Sequence, residues 1–454
     1  MKKSMTKTRF IAFTLMLLLF GSMAMICDMP VMAADLPVYE TTVSEATSST
    51  IIVGYEGKYI TDTKEALARI NEIRKEACDE GIINPETGEP LTSADYVPLK
   101  WSSSLEKIAR IRAAEGSIRP SHTRPNGSAW NTVFMDNMKS NSEDLAWNYS
   151  STTMIGGINQ WYGEKYDWVN NTGEETGHYT SMIRPEFKYI AVADFYSSNA
   201  PEYPNTVSAE FSRTESGLDE TMLNESGACI QKIEVPISCL SDLAIKNIPD
   251  NLAAGDTATL TATVSTSLID AWNKTAKTDN LKVYSGCAWS SLDTDVVTIN
   301  ESGELKGIEI GTAKIQATIG SNDISETVVV KKDNKISMIP DKLQMFYTGQ
   351  AFALSMENGK DLKWSGTGSI KSITYYLDEN GETKTTTENS GATALGEAPV
   401  NTGDYYAYVT VAGDEDYVST SDYIPFTIKK ANPDIGIVSY EGGLIDADTN
   451  AKTL

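Results

Sequence analysis

The two histidines of this chain, His122 and His178, are the residues whose chemistry is most versatile. Histidine is the commonest metal ligand in proteins and the usual proton shuttle near neutral pH. The chain has 454 residues and only two histidines. Any imidazole chemistry must therefore use His122, His178 or both.

Both histidines stand in segments that carry strong local signals. His122 lies in SHTRPNGSAWNTVF (121–134), where Arg, Pro, Asn and Gly predict a loop. His178 lies in TGHYTSMIRPEF (176–187), after a glycine and before a predicted strand. Each could also be an ordinary surface histidine, and only the fold can bring two residues so far apart in sequence together.

Two glutamates are the candidate partners of these histidines. Glu143 stands in SEDLAWN (142–148) at a predicted helix start, and Glu164 stands in QWYGEKYDW (160–168) on a predicted helix. Two neutral imidazoles suit Zn²⁺, and carboxylates either orient such imidazoles or hold a bound water as a general base. The alternatives are a helix-end charge for Glu143 and a solvated helix face for Glu164.

Helices and a strand must position these side chains. Apolar residues at spacings of three and four predict two helices, one from Asp62 to about Gly81 and one from Ser103. The run GGINQWYGEKYDW predicts a third helix, and FKYIAVADFYS (187–197) reads as a buried strand. Helices mixed with strands and no regular alternation predict an α/β/α or α+β layered domain over 61–215.

Taken in order, these segments resemble the CAP superfamily (SCP/PR-1/Tpx-like). LKWSSSLEKIARIRAAE is similar to the second helix of that family and SHTRPNGSAWNTVF to its first histidine motif. SEDLAWN stands where the family has GENLA, WYGEKYDW matches its W-x-x-E helix, and GHYTSMI matches GHYTQ. The resemblance covers about 61–197.

The resemblance implies an α/β/α sandwich with one composite site. His122 and His178 would be the metal ligands, with zinc or another divalent metal as the cofactor. Glu143, Glu164 and Tyr179 would line the cleft or support the ligands. Because Ser142, Asp144 and Ser181 replace the Gly, Asn and Gln of the family motifs, the shape of the pocket stays open.

The remainder of the chain predicts two all-β Ig-like sandwich domains. CAWSSLDTDVVTINESGELKGIEIGTAKIQATIG resembles a bacterial Ig-like domain of group 2, which we place at 233–332. Residues 335–430 resemble the repeated β domains of Gram-positive surface proteins. The tyrosines of this last domain could form a sugar-binding face, although cross-strand packing is favoured: Tyr405, Tyr406, Tyr408 and Tyr417.

The remaining segments predict export. A basic start and an apolar run make 1–34 a secretory signal peptide, with an uncleaved anchor as the alternative. Residues 35–60 and 216–232 read as linkers, and 431–454 as a tail or the start of a further repeat. We expect no membrane span in the mature chain. Export permits disulfides, so Cys239–Cys287 is the preferred pair, Cys229–Cys239 the next, and four reduced thiols are about as well supported.

The composition of the chain narrows the range of possible partners. The formal charge of −24 argues against nucleic acid as a partner, because both are polyanions. The signal peptide at 1–34 implies a secreted, extracellular protein, and the resemblance of the β domains to surface proteins implies association with a cell surface as a further option. The resemblance to the CAP superfamily makes non-catalytic binding of a lipid, glycan or host protein the leading interpretation, with the Ig-like domains as a spacer or adhesive stalk. The alternatives are a metal-dependent extracellular hydrolase or peptidase and a cell-surface adhesion protein; no nucleophile elbow or HExxH motif supports the hydrolase.

Overall fold

The computed structural model describes residues 36–150, 153–378 and 394–430. The predicted signal peptide at 1–34 and the predicted tail at 431–454 lie outside these residues. The helices come first along the described chain, and strands dominate its second half.

All α-helices of the described residues fall within the segment that the sequence predicts to be layered. They are α1 (Thr63–Asp79), α2 (Ser103–Ile118), α3 (Met154–Tyr162), α4 (Lys165–Asn170) and α5 (Gly177–Ile183). The first two confirm the helices predicted from apolar spacing. In α2, the side chain of Ser102 caps the helix by accepting a hydrogen bond from Leu105 N at 3.3 Å.

The third predicted helix is in fact two helices. The structure breaks GGINQWYGEKYDW after Tyr162, so that Gly163 ends α3 and Glu164 precedes α4. Glu164 therefore lies at a junction between helices and not on a continuous helical face. The break turns its carboxylate toward the backbone N–H groups of His178 and Tyr179, which donate to it at 3.0 and 3.1 Å.

One sheet underlies these helices. Its strands in this part of the chain are β1 (Val38–Tyr39), β2 (Thr50–Ile60), β3 (Lys100–Trp101), β4 (Ser142–Asn148), β5 (Tyr189–Tyr196), β6 (Asn205–Ser212) and β7 (Gly227–Pro236). Strand β5 confirms the predicted buried strand at 187–197. It pairs antiparallel with β6, which pairs antiparallel with β4.

The prediction of a linker at 35–60 is wrong for its second half. Residues 50–60 form β2, which pairs with β7 over 50–59 and with β5 over 58–60. A Thr- and Ser-rich segment precedes the apolar run Ile51-Ile52-Val53 and obscures it in the sequence, although these three residues are at most 1% exposed. Similarly, the predicted linker at 216–232 contains the start of β7, because the register with β2 extends to Gly227.

The rest of the described chain is β-rich and forms several sheets. The strands as far as residue 331 are β8 (Leu240–Lys246), β9 (Leu252–Ala253), β10 (Thr257–Thr259), β11 (Thr261–Ile269), β12 (Thr275–Ser285), β13 (Ala288–Ser291), β14 (Val297–Ile299), β15 (Glu304–Gly307), β16 (Gly311–Ile319) and β17 (Asn322–Lys331). The remaining strands are β18 (Ile336–Met338), β19 (Gln344–Phe346), β20 (Leu362–Trp364), β21 (Ile370–Leu377), β22 (Ala394–Leu395), β23 (Gly403–Val411) and β24 (Thr420–Lys429).

The helical region and the β-rich region share a sheet. Strand β12 pairs antiparallel with β2, β11 pairs with β12, and β8 pairs with β11. Residues 233–236 belong to β7 and so to the sheet of the helical region. The boundary predicted at 233 therefore cuts through a continuous sheet, because local strand patterns do not reveal which strands pair.

None of the four described cysteines forms a disulfide bond. Cys78, Cys229, Cys239 and Cys287 are free thiols, so neither the preferred Cys239–Cys287 bond nor Cys229–Cys239 is formed among them.

Tyr405 and Tyr406, two of the tyrosines considered for a sugar-binding face, are 5% and 4% exposed on β23. Their rings pack within the domain, in agreement with the cross-strand packing favoured from the sequence.

Candidate functional site

His122 and Glu143 form the first half of the site. His122 lies in the loop after α2, and its Nδ1 is 2.7 Å from Oε1 of Glu143. Glu143 lies on strand β4 and not at a helix start, because SEDLAWN pairs residue by residue with β6. The side chain of Glu143 is fully buried, whereas that of His122 is 49% exposed.

The buried guanidinium of Arg112 holds this carboxylate. Arg112 on α2 donates from Nε and Nη2 to the two oxygens of Glu143, at 2.5 and 3.2 Å. Its Nη1 donates to Glu115 at 2.6 Å, and Arg124 donates to the same Glu115 at 2.7 Å. Burial opposes the charged form of Glu143, but the charge of Arg112 and the hydrogen bond from His122 hold the pKa of this carboxyl below its usual value.

Arg112 also positions the loop that carries His122. Its Nη2 donates to the backbone carbonyls of Ser121 and His122 at 3.1 and 3.3 Å. Sequence reasoning missed Arg112, Glu115 and Arg124. For Arg112 and Glu115, the available signal was the three charges inside the otherwise apolar run IARIRAAE, since a charge on a buried helix face needs a partner.

His178 and Glu164 form the second half. His178 is on α5, and its Nδ1 is 2.5 Å from Oε1 of Glu164. The other oxygen of Glu164 accepts the two backbone N–H groups at the start of α5. Burial opposes the imidazolium, but the hydrogen bond to Glu164 and the neighbouring carboxyls together outweigh it and raise the pKa of His178 above 6.5.

The fold brings the two halves together. The ring centroids of His122 and His178 are 6.4 Å apart, and the ring planes differ by 23°. Four of the predicted site residues thus meet in one place: His122, His178, Glu143 and Glu164. Tyr179 is the exception, because its side chain is 1% exposed and packs against Tyr162 in the core. Only its backbone N–H touches the site, through Glu164.

Two further buried carboxyls stand next to Glu143. Asp144 is 1% exposed, and burial raises its pKa well above the usual value. Glu210 lies opposite Glu143 across the β4–β6 pair, and burial together with the charge of Glu143 raises its pKa well above the usual value. One oxygen of each carboxyl, Oδ2 of Asp144 and Oε2 of Glu210, has no hydrogen-bond partner among the described residues.

The donors available for a metal are two imidazole nitrogens. Since a carboxylate oxygen can only accept a hydrogen bond, each Nδ1 carries the hydrogen, and in the neutral form of each imidazole Nε2 keeps a free lone pair. No described residue forms a hydrogen bond with either Nε2. Within residues 36–150, 153–378 and 394–430, no group of three or more His, Cys, Asp or Glu side chains is placed to hold a metal ion. A cation bound here would therefore have the two imidazoles as its protein ligands.

Comparison with known proteins identifies the domain that carries this site. Residues 67–210 match the family model "CAP: Cysteine-rich secretory protein family". This segment of the chain is a CAP domain, and it includes His122, Glu143, Glu164 and His178. No curated protein matches the chain.

Among solved structures, the chain is similar to BmVAL-1 at 17% identity, over 36% of this chain and 82% of that one, with a TM-score of 0.25. It is similar to the Schistosoma mansoni venom allergen-like protein 4 at 14% identity, over 35% and 96% of the two chains, with a TM-score of 0.23. Domains 5–6 of the S-layer protein SbsC match at 15% identity, over 42% and 98%, with a TM-score of 0.15. The assignment of the domain rests on the family match.

Among the described residues, no helix is both long and apolar enough to cross a membrane.

Proposed function

We propose that the CAP domain is a non-catalytic extracellular binding module that holds a divalent cation, zinc or one of similar preference, between His122 and His178. The observation that carries this proposal is the pair of facing imidazoles, each with its Nδ1 tied to a carboxylate at 2.7 or 2.5 Å. Carboxylates in this position fix the tautomer and the ring orientation of metal-ligating histidines.

Two protein ligands make a weak and open metal site. Structural zinc sites use four protein ligands, whereas sites with fewer leave positions for water or for an oxygen of a bound molecule. A bound cation would supply a Lewis-acidic point of attachment for such an oxygen. With His122 half exposed, this point faces solvent. An exchangeable cation that helps to retain a ligand is the expected consequence of this arrangement.

The engagement of both glutamates favours binding over hydrolysis. A general base must reach a water with a free lone pair. Glu143 is fully buried and accepts hydrogen bonds from Arg112 and His122. Glu164 accepts from two backbone N–H groups and from His178. Both carboxylates are committed to holding imidazoles, which leaves the hydrolase alternative without a base among them.

Calorimetric titration of the untagged protein with Zn²⁺ tests the proposal. The parent should take up one equivalent, and the His122→Ala/His178→Ala variant, which contains no imidazole, should take up none. A Cys239→Ser/Cys287→Ser variant is the control for thiol binding and should titrate like the parent. Equal uptake by the parent and the histidine variant would disprove the metal claim.

In the same proposal the protein is exported and the β-rich region is a spacer or adhesive stalk. The apolar start of the chain supports export, and the sheet shared through β2 and β12 supports a rigid attachment of the first β strands to the CAP domain. Amino-terminal sequencing of the secreted protein should begin after Ala33 or Ala34. Recovery of the protein only inside cells, with Met1 retained, would contradict export.

A further inference from the structure

An exposed row of aromatic rings lies where the CAP domain meets the β-rich region. Trp147 and Trp272 are edge to face at 5.7 Å, Trp272 and Tyr203 are 6.1 Å apart, and Tyr203 and Tyr149 are 4.7 Å apart. Tyr149 is 72% exposed and Trp272 is 49% exposed. Large aromatic side chains left in water cost free energy, so a contiguous group of them marks an interaction site.

Three separate segments converge to build this row. Trp147 and Tyr149 flank the end of β4, Tyr203 lies in the turn between β5 and β6, and Trp272 lies at the tip of the β11–β12 hairpin. No local sequence pattern predicts the convergence. The row contains none of the four His and Glu side chains of the metal site.

The hairpin that presents Trp272 is held in place from both sides. Within the tip, Oδ1 of Asp270 accepts the backbone N–H groups of Trp272 and Lys274 at 2.9 and 2.7 Å. Toward the CAP domain, Ala271 N donates to Pro120 O at 3.0 Å, and Arg119 Nε donates to Ile269 O at 2.6 Å. A surface held this firmly loses little conformational entropy when it binds a ligand.

The other end of the row is fixed through α2. The indole Nε1 of Trp147 donates to the backbone carbonyl of Gly116 at 2.9 Å, so this ring keeps one orientation. Polar groups border the rings: Lys274 and Glu202 form an ion pair at 3.1 Å, and the two tyrosines contribute hydroxyl groups. The row therefore offers aromatic rings tilted by 48° to 75° against one another, with hydrogen-bonding groups at their edges.

We propose that this aromatic row, defined by Trp147, Tyr149, Tyr203 and Trp272, binds a neutral polysaccharide. The C–H groups of a pyranose ring carry partial positive charge and pack on the negative face of an aromatic ring, while the sugar hydroxyls need hydrogen-bonding partners around it. The rings lie 4.7 to 6.1 Å apart and form one continuous aromatic patch for such contacts.

The charges on the protein select among possible occupants. The formal charge of −24 disfavours an acidic glycan or an anionic lipid surface. The rim is polar, and its Glu202 and Lys274 neutralise each other, so it offers no net charge to an ionic partner. A neutral, hydroxyl-rich polymer satisfies both conditions.

Affinity electrophoresis of the full chain tests the proposal in gels that contain laminarin, xylan, mannan or hydroxyethylcellulose. At least one of these should retard the parent, and Tyr149→Ala and Trp272→Ala should each weaken binding about tenfold or more, as expected for exposed aromatic contacts. Trp272→Phe should retain part of the binding. Tyr166→Ala is the matched control, because Tyr166 is a tyrosine of similar exposure (69%) outside the row.

Tyr149→Ala separates ligand binding from a structural role at the junction, since a side chain so exposed contributes little to folding. Its thermal unfolding should match that of the parent while its retardation is lost. Three results would overturn the proposal: no retardation by any of the four polysaccharides, equal retardation of the parent and Tyr149→Ala, or retention on phosphatidylcholine vesicles or self-association that depends on Tyr149 in place of glycan binding.

Discussion

The two His–Glu pairs of the site present the same imidazole edge but are built in different ways. Glu143 lies in the sheet, fully buried, and is held by the guanidinium of Arg112. Glu164 lies at a helix junction, 19% exposed, and is held by two backbone N–H groups. The first arrangement ties the site to the core of the fold, whereas the second depends on a local turn. The fold therefore positions the two imidazoles through two different kinds of support.

The pairs also differ in their response to pH. The pKa of Glu143 is lowered, so its pair stabilises the fold above the unfolded-state value of 4.5 and loses that contribution as the pH falls through the folded-state value. The pKa of His178 is raised, so its pair stabilises the fold fully below 6.5 and loses that contribution as the pH rises through the folded-state value. The pair of Glu143 therefore loses its contribution to stability in acid, and the pair of His178 loses its contribution as the pH rises.

The largest expected effect on stability comes from removing the guanidinium of Arg112, which supports the buried His122–Glu143 pair. Arg112→Met leaves Glu143 and Glu115 buried with fewer partners and should lower the free energy of unfolding by about 3–5 kcal/mol. Urea denaturation measures this change. Arg69→Met, which removes a partly exposed partner of Glu72, is the control and should cost about 1 kcal/mol or less. A loss below 1 kcal/mol for Arg112→Met would mean that the buried network does not support the fold.

A direct comparison of the two glutamates should give the next largest effect. Glu143→Gln removes the negative charge that is buried beside Arg112. This change should lower the free energy of unfolding by roughly 2–4 kcal/mol. Glu164→Gln keeps an oxygen that can accept the backbone N–H groups and should cost roughly 1 kcal/mol. Urea unfolding of both variants at pH 7 measures the difference. Equal losses would remove the distinction between a core-supported and a locally supported pair.

The smallest expected effect is the pH dependence of the locally supported pair. Because the hydrogen bond to Glu164 raises the pKa of His178, the destabilisation caused by Glu164→Gln should be greater at pH 5 than at pH 8. Urea unfolding at the two pH values measures this difference, and NMR titration of the histidine ring protons should show a lower pKa for His178 in the variant. An unchanged titration curve would show that Glu164 does not act on His178.

The sequence predicts some elements of the fold well and others poorly, for physical reasons. Helices α1 and α2 and strand β5 follow from apolar spacing and continuous apolar runs, which are local signals. Strand β4 is missed, because only its pairing with β6, about 60 residues further along the chain, makes SEDLAWN extended. Strand β2 is likewise defined by its distant partners β7 and β12.

The residues of the candidate site also differ in whether the sequence predicts them. The grouping of His122, Glu143, Glu164 and His178 came from ordered motifs that resemble a family, since their spacing alone does not place them together. Arg112 is 31 residues from Glu143 in sequence, so that ion pair exists only once the sheet and α2 have packed. Local sequence patterns also fail to predict the exposed row of aromatic rings, because three separate segments contribute to it: Trp147, Tyr149, Tyr203 and Trp272.

The two differently supported imidazoles are proposed to serve one cation. A crystal structure of the zinc-soaked protein, with anomalous diffraction recorded on both sides of the zinc absorption edge, would show where the metal binds. We expect one strong anomalous peak between the rings, bonded to Nε2 of His122 and Nε2 of His178 at about 2.0–2.1 Å. No peak at this position, or zinc bound only at cysteines or surface carboxylates, would contradict the shared site.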